Sequence, residues 1–108
     1  MKFVGVTSCT VGMAHTYMTA EALEKYFRGM GHECHIERDG NLGPESPLEP
    51  DEIEEADAII LAVSGSIEEP ERFDGYEGKT VSLSVQEGLR HPEVVVEMLK
   101  ERDLWDES

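Results

Sequence analysis

Cys9 leaves a short apolar run, Phe3-Val4-Gly5-Val6, and faces the start of a strongly periodic helical stretch. A thiol at that place is suited to nucleophilic work, because unpaired amide N–H groups and the helix dipole favour a thiolate or any anion attached to it. The chemistry expected is uptake of a phosphoryl group. Five residues, Thr10, Val11, Gly12, Met13 and Ala14, separate Cys9 from His15, and Thr16 follows. Their amides are expected to wrap the phosphoryl oxygens, with Gly12 allowing the backbone to approach closely. His15 has two readings, a hydrogen bond to a backbone carbonyl of the loop or a place against the phosphoryl group. Thr16 reads as a helix-start hydroxyl.

The elements that must position this loop follow from periodicity. Residues 2–8 read as a buried strand, and a helix is expected from the loop to about Met30. Its apolar set is Ala14, Met18, Ala22, Leu23, Tyr26, Phe27 and Met30. Glu21, Glu24, Lys25 and Arg28 are expected on the outer face, paired Glu21–Lys25 and Glu24–Arg28. A second strand is expected at 33–37, then a proline-stiffened loop over 38–50. A short acidic helix follows at 50–56, with Glu52, Glu54 and Glu55 on its solvated face. Residues 58–63 form a continuous apolar strand covered on both sides. The 64–78 loop has Phe73 as its anchor. Alternation over 79–85 gives a half-buried or edge strand, and Pro92 opens a last helix. Strands alternating with helices imply an α/β three-layer sandwich on a four-stranded parallel sheet. Ligands on such sheets bind beyond the carboxyl ends of the strands, so the loops at 9–15 and 38–50 are expected to share a site, with the loop from Ser64 contributing.

Composition bounds the function. The 108 residues suit one domain, expected over 1–102 with an acidic tail at 103–108. Twenty-four acidic against nine basic residues give a net charge of −15, which repels nucleic acid and anionic membranes. Only four lysines and so many carboxylates suggest a high-salt habitat. No apolar run reaches bilayer length, so a cytoplasmic protein without membrane insertion is expected. Cys34 reads as a buried strand residue, and its pairing with Cys9 requires Cα atoms within about 7 Å. His32, Cys34 and His35 cannot gather on one face of a strand, so no metal or other cofactor is expected there.

Cysteine phosphatases place an arginine six residues after the nucleophile to clamp the phosphoryl group. His15 stands there in this chain, and none of the five arginines lies in the loop. That favours passing the group onward over hydrolysing it. A low-molecular-weight phosphatase, an arsenate reductase or a non-catalytic flavodoxin-like module are the alternatives.

The stretch Cys9-Thr10-Val11-Gly12-Met13-Ala14-His15-Thr16-Tyr17-Met18-Thr19-Ala20-Glu21-Ala22-Leu23 resembles the loop Cys-Pro-Thr-Gly-Ile-Ala-His-Thr-Phe-Met-Ala-Ala-Glu-Ala-Leu. That loop is typical of the enzyme IIB component of the fructose-type sugar phosphotransferase system. The likeness continues through Glu52-Ile53, Ala56-Asp57 and Glu71-Arg72-Phe73. The resemblance implies a relay in which Cys9 takes phosphate from a phosphohistidine of an enzyme IIA. Cys9 would then pass it to fructose in a membrane enzyme IIC, giving fructose 1-phosphate. Thr10-Val11 replaces the family's Pro-Thr, which removes a fixed φ. Asp39 stands where Gln is common, and a carboxylate beside a phosphocysteine must turn away or be neutralised by Arg38.

Overall fold

The computed structural model describes residues 1–9, 13–40, 43–45, 48–64 and 73–104. In chain order they form β1 (Lys2–Cys9), α1 (Met13–Gly29), β2 (Glu33–Gly40), β3 (Gly43–Glu45), α2 (Pro50–Glu55) and β4 (Ala58–Ser64). A 3-10 turn at Glu77–Lys79 then leads to β5 (Thr80–Leu83), α3 (Val85–Arg90) and α4 (Glu93–Glu101). The sheet order is β3-β2-β1-β4-β5. The expected four parallel strands are β2, β1, β4 and β5, and β3 adds an antiparallel edge to β2 through Arg38↔Glu45 and Gly40↔Gly43. Pro44 fits only such an edge, because it has no N–H to give. Strand β2 therefore runs three residues beyond its expected end.

Each sheet face buries its own cluster. Phe3, Ile36, Ile60, Ala62, Val81 and Leu83 pack under Ala20, Leu23 and Phe27 of α1 and Val95 and Leu99 of α4. Val4, Val6 and Ile59 pack on the other face against Leu48, Ile53, Ala56 and the anchor Phe73. Full burial of Leu23 or Phe27 stabilises the fold by about 2–3 kcal/mol each. At Gly5 any Cβ would collide with the Ile60 carbonyl oxygen, so only glycine lets β1 and β4 register here.

The inward stripe of α1 is narrower than expected. Thr16, Thr19, Ala20, Leu23, Glu24 and Phe27 are buried, whereas Met18 and Met30 are 50% and 42% exposed. Glu24 faces inward because β2 offers it partners: Arg38 Nη2 and Nη1 at 2.6 and 3.1 Å, and the Ile36 N–H at 2.9 Å. The expected Glu24–Arg28 pair is looser, at 3.8 Å, and Arg28 instead donates to the Cys34 carbonyl at 2.8 Å.

Helix α2 begins with Pro50 and a capping box between Glu49 and Glu52. Its last carbonyls accept from Lys79 Nζ, with Ile53, Glu54 and Ala56 at 3.0, 3.1 and 2.7 Å. Glu52 and Glu55 are not simply solvated. Glu52 meets His35 Nδ1 at 2.5 Å and Glu55 takes Lys2 Nζ at 3.1 Å. The strand expected to reach Val85 stops at Leu83, because Ser84 caps α3 by accepting the Glu87 N–H at 3.1 Å. Leu104, just inside the tail, packs back on the core.

Candidate functional site

The chain leaves β1 for β2 on one side, then places β4 on the other. The order therefore reverses at β1, and the crevice beyond its carboxyl end is the switch point where open α/β sheets hold ligands. Cys9 is the last residue of β1 and lies level with Ser64, the last of β4. Four residues later Met13 opens α1, which runs 17 residues and carries no acid in its first turn. In a chain with net charge −15, that acid-free turn keeps the positive end of the helix dipole available to an anion.

The expected phosphate-loop residues fall in two groups. Thr10, Val11 and Gly12 lie outside the described residues. Met13, Ala14, His15 and Thr16 make the first turn of α1, so the backbone places the motif's second half against the end of β1. Ser64, where the loop expected to contribute begins, is level with Cys9. Residues 65–72 of that loop, and 41–42 and 46–47 of the 38–50 connection, lie outside the described residues.

Thr16 is only 1% exposed. Its carbonyl accepts from Thr7 Oγ1 at 3.0 Å, which ties the opening of α1 to β1 two residues before Cys9. Its own hydroxyl, Oγ1, is buried and has no hydrogen-bond partner. Thr7 was missed from sequence; a threonine between Val6 and Ser8 in a buried strand was the available signal. Glu37 was also missed. It is fully buried and accepts the Leu48 N–H at 2.9 Å, which fixes the return of the chain from β3.

Asp39 stands level with Ser8 near the carboxyl edge and is 7% exposed. Arg38 points to α1 and is held there by Glu24, so strand alternation sends Asp39 to the opposite face of the sheet. The carboxylate thus turns away from α1.

Cys34 plays no part at this end. It lies level with Phe3, six residues from Cys9 along β1, or roughly 20 Å at the strand rise, which rules out a disulfide. Burial, reinforced by the charge of Glu24 against Arg28 and Arg38, pushes its thiol up to about 12. As alternation requires, His35 reaches α2 while Cys34 enters the α1 core. A cleft of about 440 Å³ lined by Lys2, Arg28, His32, Glu33 and His35 opens at the amino end of the sheet, opposite to Cys9.

Residues 4–98 match the family model for the PTS system, Lactose/Cellobiose specific IIB subunit. Among curated proteins, the chain is 42% identical over 94 residues to the PTS system 2-O-alpha-mannosyl-D-glycerate-specific EIIABC component of Escherichia coli. That match takes in 87% of this chain but only 14% of the larger protein. It is 38% identical over 97 residues to the PTS system fructose-specific EIIB component of Haloferax volcanii, spanning 90% of this chain and 60% of that one. The crystal structure of a predicted fructose-specific IIB from Escherichia coli superposes with a TM-score of 0.82 at 31% identity, covering 100% of this chain and 94% of the other. No helix among the described residues is long and apolar enough to cross a membrane. The chain belongs to the PTS IIB family, and its homologues include fructose-specific components.

Proposed function

We propose that Cys9 is the phosphoryl carrier of this domain. The observation that supports this most is the position of Cys9 at the switch point, immediately before a 17-residue helix with no acid in its first turn. The Cys9 thiolate attacks the phosphorus of a phosphohistidine on an enzyme IIA. The S–P bond forms, the N–P bond breaks, and the imidazole nitrogen keeps the electron pair. In the second step a hydroxyl oxygen of the sugar held by a membrane enzyme IIC attacks the same phosphorus. The S–P bond breaks, the thiolate is regenerated and the hydroxyl proton leaves to a base. Amides of Thr10, Val11, Gly12, Met13, Ala14, His15 and Thr16 hold the phosphoryl oxygens, and the helix dipole lowers the cost of their charge.

Fructose, with fructose 1-phosphate as product, is the sugar this reading favours. The fructose-specific Haloferax relative supports it, while the mannosylglycerate relative and the lactose/cellobiose wording of the family model are the competing choices. The place of action is the cytoplasm. The deciding experiment incubates the protein with a phosphorylated enzyme IIA and locates the label by mass spectrometry. One phosphoryl group on Cys9, absent in Cys9→Ser, is expected. Label on another residue, or retained in Cys9→Ser, would sink the proposal, and rapid release of inorganic phosphate would point to the phosphatase alternative.

A further inference from the structure

We infer that the Thr16 hydroxyl is a hydrogen-bond donor reserved for the anion at the opening of α1, either the Cys9 thiolate or the phosphoryl group it carries. The inference rests on the reading of Cys9 as the phosphoryl acceptor and adds a side-chain donor to its amides.

Threonines within helices usually return their hydroxyl to a carbonyl three or four residues earlier. Thr16 does not, although it is 1% exposed and its Oγ1 touches no solvent. Its buried neighbours behave differently. Thr7 Oγ1 donates to the Thr16 carbonyl at 3.0 Å, and Thr19 Oγ1 donates to the Val85 carbonyl at 3.0 Å. A buried, unsatisfied donor is a standing cost to the fold, and such groups persist where something else uses them.

Position says what that is. Thr16 lies three residues, about 4.5 Å, above the first residue of α1, and helical Cα–Cβ bonds lean toward the N-terminus. Its main chain is pinned beside Thr7, and Cys9 is two strand residues, roughly 7 Å, further along β1. The hydroxyl therefore leans into the gap between the end of β1 and the opening of α1. An O–H donated to a thiolate or phosphoryl oxygen is charge-assisted, which is where a donor kept dry is most effective.

The test compares wild type, Thr16→Val and Thr16→Ser by thermal melting, by the pH dependence of Cys9 alkylation with iodoacetamide, and by the rate of phosphoryl uptake from enzyme IIA. Valine keeps the shape and removes the orphan, so T16V should melt at or above the wild-type temperature. Its Cys9 thiol should titrate about one pH unit higher and load on the order of tenfold more slowly. T16S should restore both. A T16V protein that alkylates and loads like wild type overturns the inference while leaving the Cys9 proposal standing. A T16V protein that melts well below wild type, or does not fold, overturns it too, since the hydroxyl would then be structural. Wild-type protein that takes no label on Cys9 ends the carrier reading by itself. The alkylation profile still reads whether Thr16 acts on the thiolate.

Discussion

Removing the Arg38 guanidinium should loosen the seat of α1 on β2 and, with it, the angle at which the opening of α1 meets Cys9. The Glu24 side chain is 10% exposed, and both its oxygens are engaged by Arg38, with the Ile36 N–H as a third donor. Arg28 stands off at 3.8 Å with its own side chain 60% exposed. In Arg38→Met the apolar stem remains and the charge goes, leaving a buried carboxylate with one N–H and one distant, solvated cation. Breaking a buried pair costs about 3–5 kcal/mol. The retained N–H bond is worth about 1 kcal/mol and the Arg28 contact at most about the same, so the expected loss is about 2–3 kcal/mol. For a domain of this size that lowers the melting midpoint by about 10–15 °C.

Urea unfolding followed by far-UV circular dichroism measures it, with the slope m unchanged if the effect lies in the folded state. The double variant Glu24→Met with Arg38→Met removes both charges at similar volume and should recover most of the loss. A single R38M variant within about 0.5 kcal/mol of wild type would show that solvent already satisfies Glu24, contrary to the geometry. A double variant no better than R38M would show that the Arg38 stem, rather than the ion pair, holds the contact.

Burial pushes the Glu52 carboxyl up, but the His35 hydrogen bond, the Glu49 N–H and the nearby charges of His35 and Lys2 outweigh it and hold the group below the ordinary carboxylate value. Its contribution to stability is therefore complete above about pH 4.5 and is lost as the pH falls through the lower folded value. Glu52→Gln keeps an acceptor for the capping box and should flatten that acid limb in urea midpoints taken between neutral and acid pH; an unchanged limb would mean the His35 contact carries no free energy. The −15 charge predicts a urea midpoint that rises steadily with KCl as the screening length shrinks from about 10 Å to a few ångströms; a flat response would remove the case for a high-salt habitat.

Periodicity made β1, α1, β4 and α4 readable because each buries a repeating set of side chains. Strand β3 was not readable. Its three residues, Gly43-Pro44-Glu45, are held by main-chain pairing to β2, which leaves no mark on side-chain pattern. At 79–85 the alternation of Val81, Leu83 and Val85 masked the capping signal of Ser84 with Glu87, so the strand was carried on to Val85, the first residue of α3, and the helix itself went unread. On α1, hydropathy put Glu24 outside and Met18 inside. The structure reverses both, since an inward carboxylate depends on an arginine that only the fold brings beside it. The site divides the same way. Cys9 and the first turn of α1 are legible from residue type and spacing, but the idle hydroxyl of Thr16 is not. Whether a buried donor is satisfied is settled by three-dimensional neighbours alone.

The arginines bear on what a phosphocysteine here could do next. Arg28 is held by the Cys34 carbonyl, Arg38 by Glu24 and Arg102 by the Thr80 carbonyl at 2.7 Å. Of these only Arg38 lies toward the carboxyl end of the sheet, level with Thr7, and its guanidinium is engaged on a carboxylate that would itself be left buried if it moved. None of these three guanidinium groups, then, is placed to clamp an anion at the opening of α1, where the helix dipole acts. Such a site stabilises a resting phosphoryl group well enough to form it. It supplies less of the cationic charge that speeds attack on phosphorus. The charge needed for departure would have to arrive with the acceptor, so transfer would be fast only when a partner docks and slow to water otherwise. That property separates a carrier from a phosphatase built on the same strand–loop–helix frame.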